Sequence, residues 1–290
     1  MKLAIVGAAV LWGTAGTAGL LVAGVDPVSL AAARLVVGGL VLAVAAAPAL
    51  RSLPRKGLLV PAAVAVAAYQ LCFFAAVSRT GVAIGTVVAI GSGPVFTGLL
   101  SWLLDRVPPT RRWAGATAVA IAGCAVLTGG GGEARVDGIL LALLGGLLYA
   151  FYAVTAARVI GAGAPSGAVM GAMFGGAGIV MLPVLLWTGT AWLAEPRGLL
   201  TALYLGCVAT ALAYVLYGRG LRTTPVATAA TLALTEPAVA ALLGVVVLGE
   251  QLTPTAITGL LLLGVSLAVV ALPERRSGRR VESAAIESSM

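Results

Sequence analysis

The chain has 290 residues, 60% of them hydrophobic and only 10% charged, with a mean hydropathy of +1.08. Soluble domains carry about 25% charged residues, so a water-facing globular surface is excluded. The net charge of +8 sits between apolar runs and at the C-terminal end, with no basic face interleaved by aromatics, which excludes nucleic-acid binding and suits a protein oriented in a membrane.

A hydrocarbon core about 30 Å thick needs about 20 apolar helical residues. The first such run, 3–23, follows Lys2, is too long for a signal-peptide core and is followed at once by others, so it counts as a span of the mature protein. Further runs cover 28–47, 58–77, 82–104 and 113–130. A second set covers 138–157, 167–187, 199–217, 225–248 and 255–272. The connections are too short to house a soluble catalytic domain. The segment 273–290, with Arg275, Arg276, Arg279 and Arg280 followed by Glu and Ser, is expected to be a disordered basic cytoplasmic tail.

With the N-terminus inside, all but four of the 18 Lys and Arg residues fall on the cytoplasmic side. The exceptions are Arg34, Arg79, Arg135 and Arg197. Because Lys/Arg bias in loops sets orientation, both termini are expected in the cytoplasm, in a multi-pass protein of the plasma (inner) membrane. The halves also resemble each other. Pro94 and Pro237 each follow an Arg-Thr pair, Arg79-Thr80 and Arg222-Thr223, by 15 residues. Five spans per copy force the second copy to enter from the opposite side. The basic loops after spans two and four accordingly face partners with little or no positive charge. The expected fold is therefore an all-α integral membrane protein of ten transmembrane helices, arranged as two inverted-topology five-helix repeats. The first repeat covers 1–130 and the second 131–272. Inverted repeats are the architecture of many secondary transporters, with the substrate site near the midplane between them.

Three stretches carry a family resemblance: Leu11-Trp12-Gly13-Thr14, the run from Ala202 to Tyr217, and the run from Leu234 to Leu252 followed by Thr253-Pro254. On these residues nearly the whole chain resembles the ten-span EamA-type branch of the drug/metabolite transporter superfamily. The first half departs from the pattern, with Ser92-Gly93-Pro94 and a loop acid at Asp105 in place of a Gly-Glu pair. The resemblance implies carrier-type movement of small organic solutes, with export the favoured direction.

Glu236 is the one carboxylate far from both membrane surfaces. An ionisable group at that depth is costly and points to function, as a proton carrier or a hydrogen-bonding group for substrate. The competing reading makes it a cap for backbone groups freed by Pro237. Pro94 and Pro237 are expected to bend or break spans four and nine and to mark midplane depth. Trp12, Thr14, Tyr69, Gln70, Tyr149, Tyr152 and Tyr214 offer the few polar and aromatic groups that a mostly apolar pocket needs. Gln70 is the best placed of these, since an unpaired carboxamide in apolar surroundings is expensive. Arg34, with Asp26 as a candidate partner, either snorkels to the outer surface, the favoured reading, or meets an anion in an outward cavity. The small-residue ladders Gly81, Gly85, Ala89, Gly93, Thr97, Ser101 and Gly167, Gly171, Gly175 read as helix-packing faces, and if these faces slide during transport, bulk at Gly85 or Gly171 should impair it.

Cys72, Cys124 and Cys207 lie inside apolar runs without metal-ligand spacing, and the chain has no histidine. No metal site, no cofactor and no nucleotide-binding loop is expected. The leading expectation is a secondary transporter for a small organic metabolite, amino acid or drug-like compound, embedded in the lipid bilayer, with protons as a candidate coupling ion. A membrane-embedded enzyme and a channel are the alternatives. Nothing in the sequence specifies an oligomeric state.

Overall fold

The computed structural model describes residues 1–22, 24–51, 53, 56–106, 108–129, 135–249, 251 and 253–272. The tail expected over 273–290 lies outside the described residues. Within them every regular element is helical. The helices are α1 (Lys2–Gly19), α2 (Pro27–Leu50), α3 (Lys56–Asp105), α4 (Arg111–Thr128), α5 (Val136–Gly161) and α6 (Ser166–Thr188). They are followed by α7 (Pro196–Leu203), α8 (Ala213–Leu221), α9 (Val226–Ala233), α10 (Thr235–Leu248) and α11 (Pro254–Ala271). A nine-residue π-helical stretch, Tyr204–Leu212, joins α7 to α8.

Eight apolar helical segments are long enough to cross a membrane among the described residues, against ten runs expected from hydropathy. The difference lies in two places. Gly57–Asp105 is one segment of 49 residues, about 74 Å if straight and more than twice the ~30 Å of a hydrocarbon core. It is not straight. Gly81 has φ 80° and ψ 164°, a conformation open to glycine and costly for other residues. A side-chain carbon built on Gly85 would lie 3.0 Å from the Cα of Val77, so α3 doubles back on itself into two arms. The second place is α4, 18 residues long, whose opening Arg111 and Arg112 dilute its apolar character.

Helix ends follow local chemistry. Asp26 caps α2, its carboxylate accepting from the amides of Val28 (2.7 Å) and Ser29 (3.1 Å), with Pro27 at the first helical position. Thr110 and Thr253 cap α4 and α11 in the same way. Asp26 is thus occupied as a cap and is not the partner of Arg34.

The two halves interlock helix by helix. α2 packs on α6, α4 on α11, α3 on α5, and α1 on α8, α9 and α10. Glycine makes the first pair close. Carbons built on Gly171, Gly175 and Gly178 of α6 would meet Ala46, Ala43 and Leu35 of α2 respectively. Position rises along α6 as it falls along α2, so the helices run antiparallel. The same holds for α4 and α11, where Arg112 donates to the carbonyl of Val269, Ser266 donates to that of Ala116, and Gly123 meets Leu263. Large apolar side chains such as Leu3, Ile179 and Val246 are exposed on the outside, where hydrocarbon covers them in a bilayer.

Ion pairs clip both ends of α5 to α3. Arg79 at the turn of α3 reaches Asp137 (3.1 Å), and Asp105 at the end of α3 reaches Arg158 (3.6 Å). Both pairs are half-exposed and so contribute at most about 1 kcal/mol each. At the face where α4 begins, the ammonium of Lys2 donates to the carbonyls of Val270 (3.0 Å), Ala271 (3.0 Å) and Leu272 (3.3 Å), cations being favourable at a helix C-terminus. The start of α1 and the end of α11 therefore lie together.

Candidate functional site

A cavity opens where the two halves meet. α3 supplies most of its wall from both arms. On the first arm Tyr69 and Gln70 stand one helical turn from Phe73 and Phe74, so two neighbouring i, i+4 pairs make a continuous face. The second arm adds Ala89 and Ile90. Trp12 of α1, Arg34 of α2, Tyr149 and Tyr152 of α5 and Tyr214 of α8 complete the aromatic and basic sides. The remaining wall is the break between α9 and α10, with Ala230, Ala233 and Glu236.

The tyrosines of α5 and α8 are fixed by one another. Tyr149 and Tyr217 hydroxyls lie 3.1 Å apart, those of Tyr152 and Tyr214 3.3 Å apart. Trp12 stacks obliquely on Tyr214 and Tyr217, with centroids 5.1 and 5.4 Å away, and Phe174 backs Tyr214. With their hydroxyls engaged, these rings offer the cavity mainly their faces.

The strongly polar groups, by contrast, are not paired with each other. Arg34 turns inward and its Nε donates to Thr210 Oγ1 (3.2 Å), in the π-helical stretch. No salt bridge joins it to Glu236, although both line the cavity. Among the described residues the Glu236 carboxyl and the Gln70 carboxamide, the latter 7% exposed, have no hydrogen bond to protein. Trp12 Nε1 is buried without a partner. Such groups cost free energy unless something fills the cavity and binds them.

Of the residues singled out in the sequence, Trp12, Arg34, Tyr69, Gln70, Tyr149, Tyr152, Tyr214 and Glu236 come together around this cavity. Thr14 does not line it. Its hydroxyl donates to Leu11 (2.7 Å) and accepts from Tyr204 (2.8 Å), tying α1 to the π-helical stretch. Arg34 does not snorkel outward as expected, because Thr210 offers an acceptor inside. Pro237 sits in the first turn of α10, just after α9 ends at Leu234. Glu236, in the same turn, makes no capping hydrogen bond. The helix runs through Pro94 without a break. Each proline still lacks the N–H that would bond four residues back, and those residues are Ile90 and Ala233, both on the cavity wall.

Phe73, Phe74, Ile90, Phe174, Thr210 and Tyr217 escaped the sequence reading. The spacing from Gln70 to Phe74 and from Tyr214 to Tyr217 is the signal that would have found two of them. Cys72, Cys124 and Cys207 are free thiols. No cluster of His, Cys, Asp or Glu suited to a metal occurs among the described residues.

The EamA-like transporter family matches the chain twice, over residues 1–129 and 136–272. The chain is similar to the uncharacterized transporter YwfM of Bacillus subtilis (strain 168), 38% identical over 276 residues that span 93% of each chain. A protein of known crystal structure superposes with a TM-score of 0.81 at 22% identity, covering 97% of this chain and 98% of that one, which shows a shared fold.

Proposed function

The chain belongs to the EamA-like transporter family, a branch of the drug/metabolite transporter superfamily, and from that premise we propose that this multi-pass membrane protein is a secondary carrier. It moves a small organic solute across the plasma membrane by exposing the central cavity alternately to either side, with export as its direction. The observation that carries the reading is the cavity between the repeats, where Glu236, Arg34 and Gln70 face an aromatic wall and remain unpaired with one another.

In this reading the membrane is crossed ten times. The two arms of α3 are two spans, and α4 is a further one beside α11. The antiparallel packing of α2 on α6, and of α4 on α11, supports repeats of opposite orientation, since these pairs are the second and fifth spans of each copy. Lys2, Arg112 and Leu272 meet at one face, which supports both termini on one side, the cytoplasmic one by its arginines. Trp12, Gln70, Tyr69, Tyr149, Tyr152 and Tyr214 form the solute-binding wall. Glu236 is the group that handles substrate or a coupling proton.

Purified protein in proteoliposomes tests this with a panel of labelled amines, amino acids and drug-like compounds, with and without a pH gradient. Saturable uptake of at least one compound, reduced to background in Glu236→Gln, is the expected result. Ion conductance far above carrier turnover, or uptake unchanged in that variant at every pH, would sink the reading.

A further inference from the structure

Resting on the carrier reading, we propose that one end of the cavity is a subsite for a protonated primary amine of the transported molecule, formed by the Glu236 carboxylate with the main-chain carbonyls of Ile90 and Ala233. All three are acceptors, and each lacks its ordinary partner. The Glu236 carboxylate makes no hydrogen bond or salt bridge within the protein among the described residues. The carbonyl of Ile90 would take its helical hydrogen bond from residue 94, and that of Ala233 from residue 237, but both are proline.

The two prolines hold corresponding places in the two halves, each 15 residues after an Arg-Thr pair. Both residues whose carbonyls they free line the same cavity. Neighbouring carbonyls are already taken: Thr235 donates to that of Leu232 (2.8 Å), and the amide of Leu234 to that of Thr231 (3.0 Å). The acceptors left without a helical donor thus belong to two residues of the cavity wall.

The surroundings suit a cation. Trp12, Tyr69, Tyr149 and Tyr214 line the cavity, and aromatic rings attract an ammonium group at their faces. The hydroxyls of Tyr149 and Tyr214 are spent on Tyr217 and Tyr152. The other cation at the cavity, Arg34, donates its Nε to Thr210 and makes no salt bridge to Glu236. An ammonium has three donors, matching one carboxylate and two carbonyls, and a charged donor on a carboxylate makes the stronger kind of hydrogen bond. A quaternary ammonium has no N–H and would keep only the ring faces and the Coulomb attraction.

The test is equilibrium binding to the full-length protein in lipid nanodiscs of three probes with one ring and one head group. They are 2-phenylethylamine, benzyltrimethylammonium and 3-phenylpropionate. The amine should bind saturably and most tightly, and Glu236→Gln should weaken it by about tenfold or more while thermal unfolding shows that variant folded. Pro94→Ala returns a donor to Ile90 inside a continuous helix, so the preference for the primary over the quaternary amine should shrink. Equal or tighter binding of 3-phenylpropionate, or amine binding unchanged in Glu236→Gln, overturns the subsite. A primary-over-quaternary preference unaltered in Pro94→Ala overturns the part given to the carbonyls. If the liposomes carry an anionic or neutral solute while the amine fails to bind, the subsite falls and the carrier reading stands. Amine binding lost in Glu236→Gln with no solute moved supports the subsite and removes the carrier.

Discussion

Tyr69 and Tyr217 separate what holds the protein together from what it presents to a solute. Tyr217 is fully buried and shares a hydrogen bond with Tyr149, whereas the Tyr69 hydroxyl lines the cavity without a hydrogen-bond partner among the described residues. Tyr217→Phe should therefore cost about 1 kcal/mol of stability, seen as a lowered unfolding temperature in detergent. Tyr69→Phe should leave that temperature unchanged and alter solute affinity. A larger stability loss for Tyr69→Phe would mean its hydroxyl is structural. Polar residues inside apolar runs were legible in the sequence because they stand against a uniform background, as Glu236 and Gln70 do. Phe73 and Phe74 were not, since an aromatic ring in a transmembrane run gives no contrast. Arg34 was misjudged because position near a helix end fits snorkelling equally well, and its true partner, Thr210, lies 176 residues away.

At the scale of elements, the α2–α6 contact is the one most exposed to steric damage. A carbon on Gly39 would collide with the backbone of Phe174, while one on Gly167, at the free end of the ladder, would meet nothing within 4 Å. Gly39→Leu should cost about 1–3 kcal/mol or more and reduce the monodisperse fraction on size exclusion, with Gly167→Leu indistinguishable from the parent. Loss of folded protein in both would show that the ladder packs against something else. Likewise Gly81→Ala forces a side chain into a positive-φ turn and should destabilise by about 1–3 kcal/mol, measured by thermal unfolding. Hydropathy located every helical run to within a few residues, because the bilayer imposes the length. It did not show the π-helical stretch at Tyr204–Leu212, while the interruption at Leu234 lies three residues before Pro237, where a bend or break was expected.

Across the whole molecule, neither half is a folding unit of its own. α1, α2 and α4 of the first half take their main partners from the second. Cutting the chain within 131–134 and expressing the pieces should give unstable fragments singly and a stable complex together, followed by co-purification through a tag on one half. A first half that is stable alone would contradict this interlocking. Orientation belongs to the same scale: a fluorescent protein that matures only in the cytoplasm should glow when fused after residue 272 and stay dark when fused after residue 134, and the reverse pattern would invert the topology. The repeat was legible from paired prolines and alternating arginines, but the pairing of helices was not, because periodicity within one run says nothing of which other run it touches. The grip of Lys2 on the end of α11 has a further consequence during synthesis. The two contacts are 268 residues apart, so at ribosomal rates of about 5–20 residues per second the first helix waits roughly 15 to 50 s for its last partner. Until Tyr214 and Tyr217 of α8 are made, Trp12 and the face of α1 that will close the cavity lack their ring partners in the second half, and the nascent protein depends on completing its final turn to join its two ends.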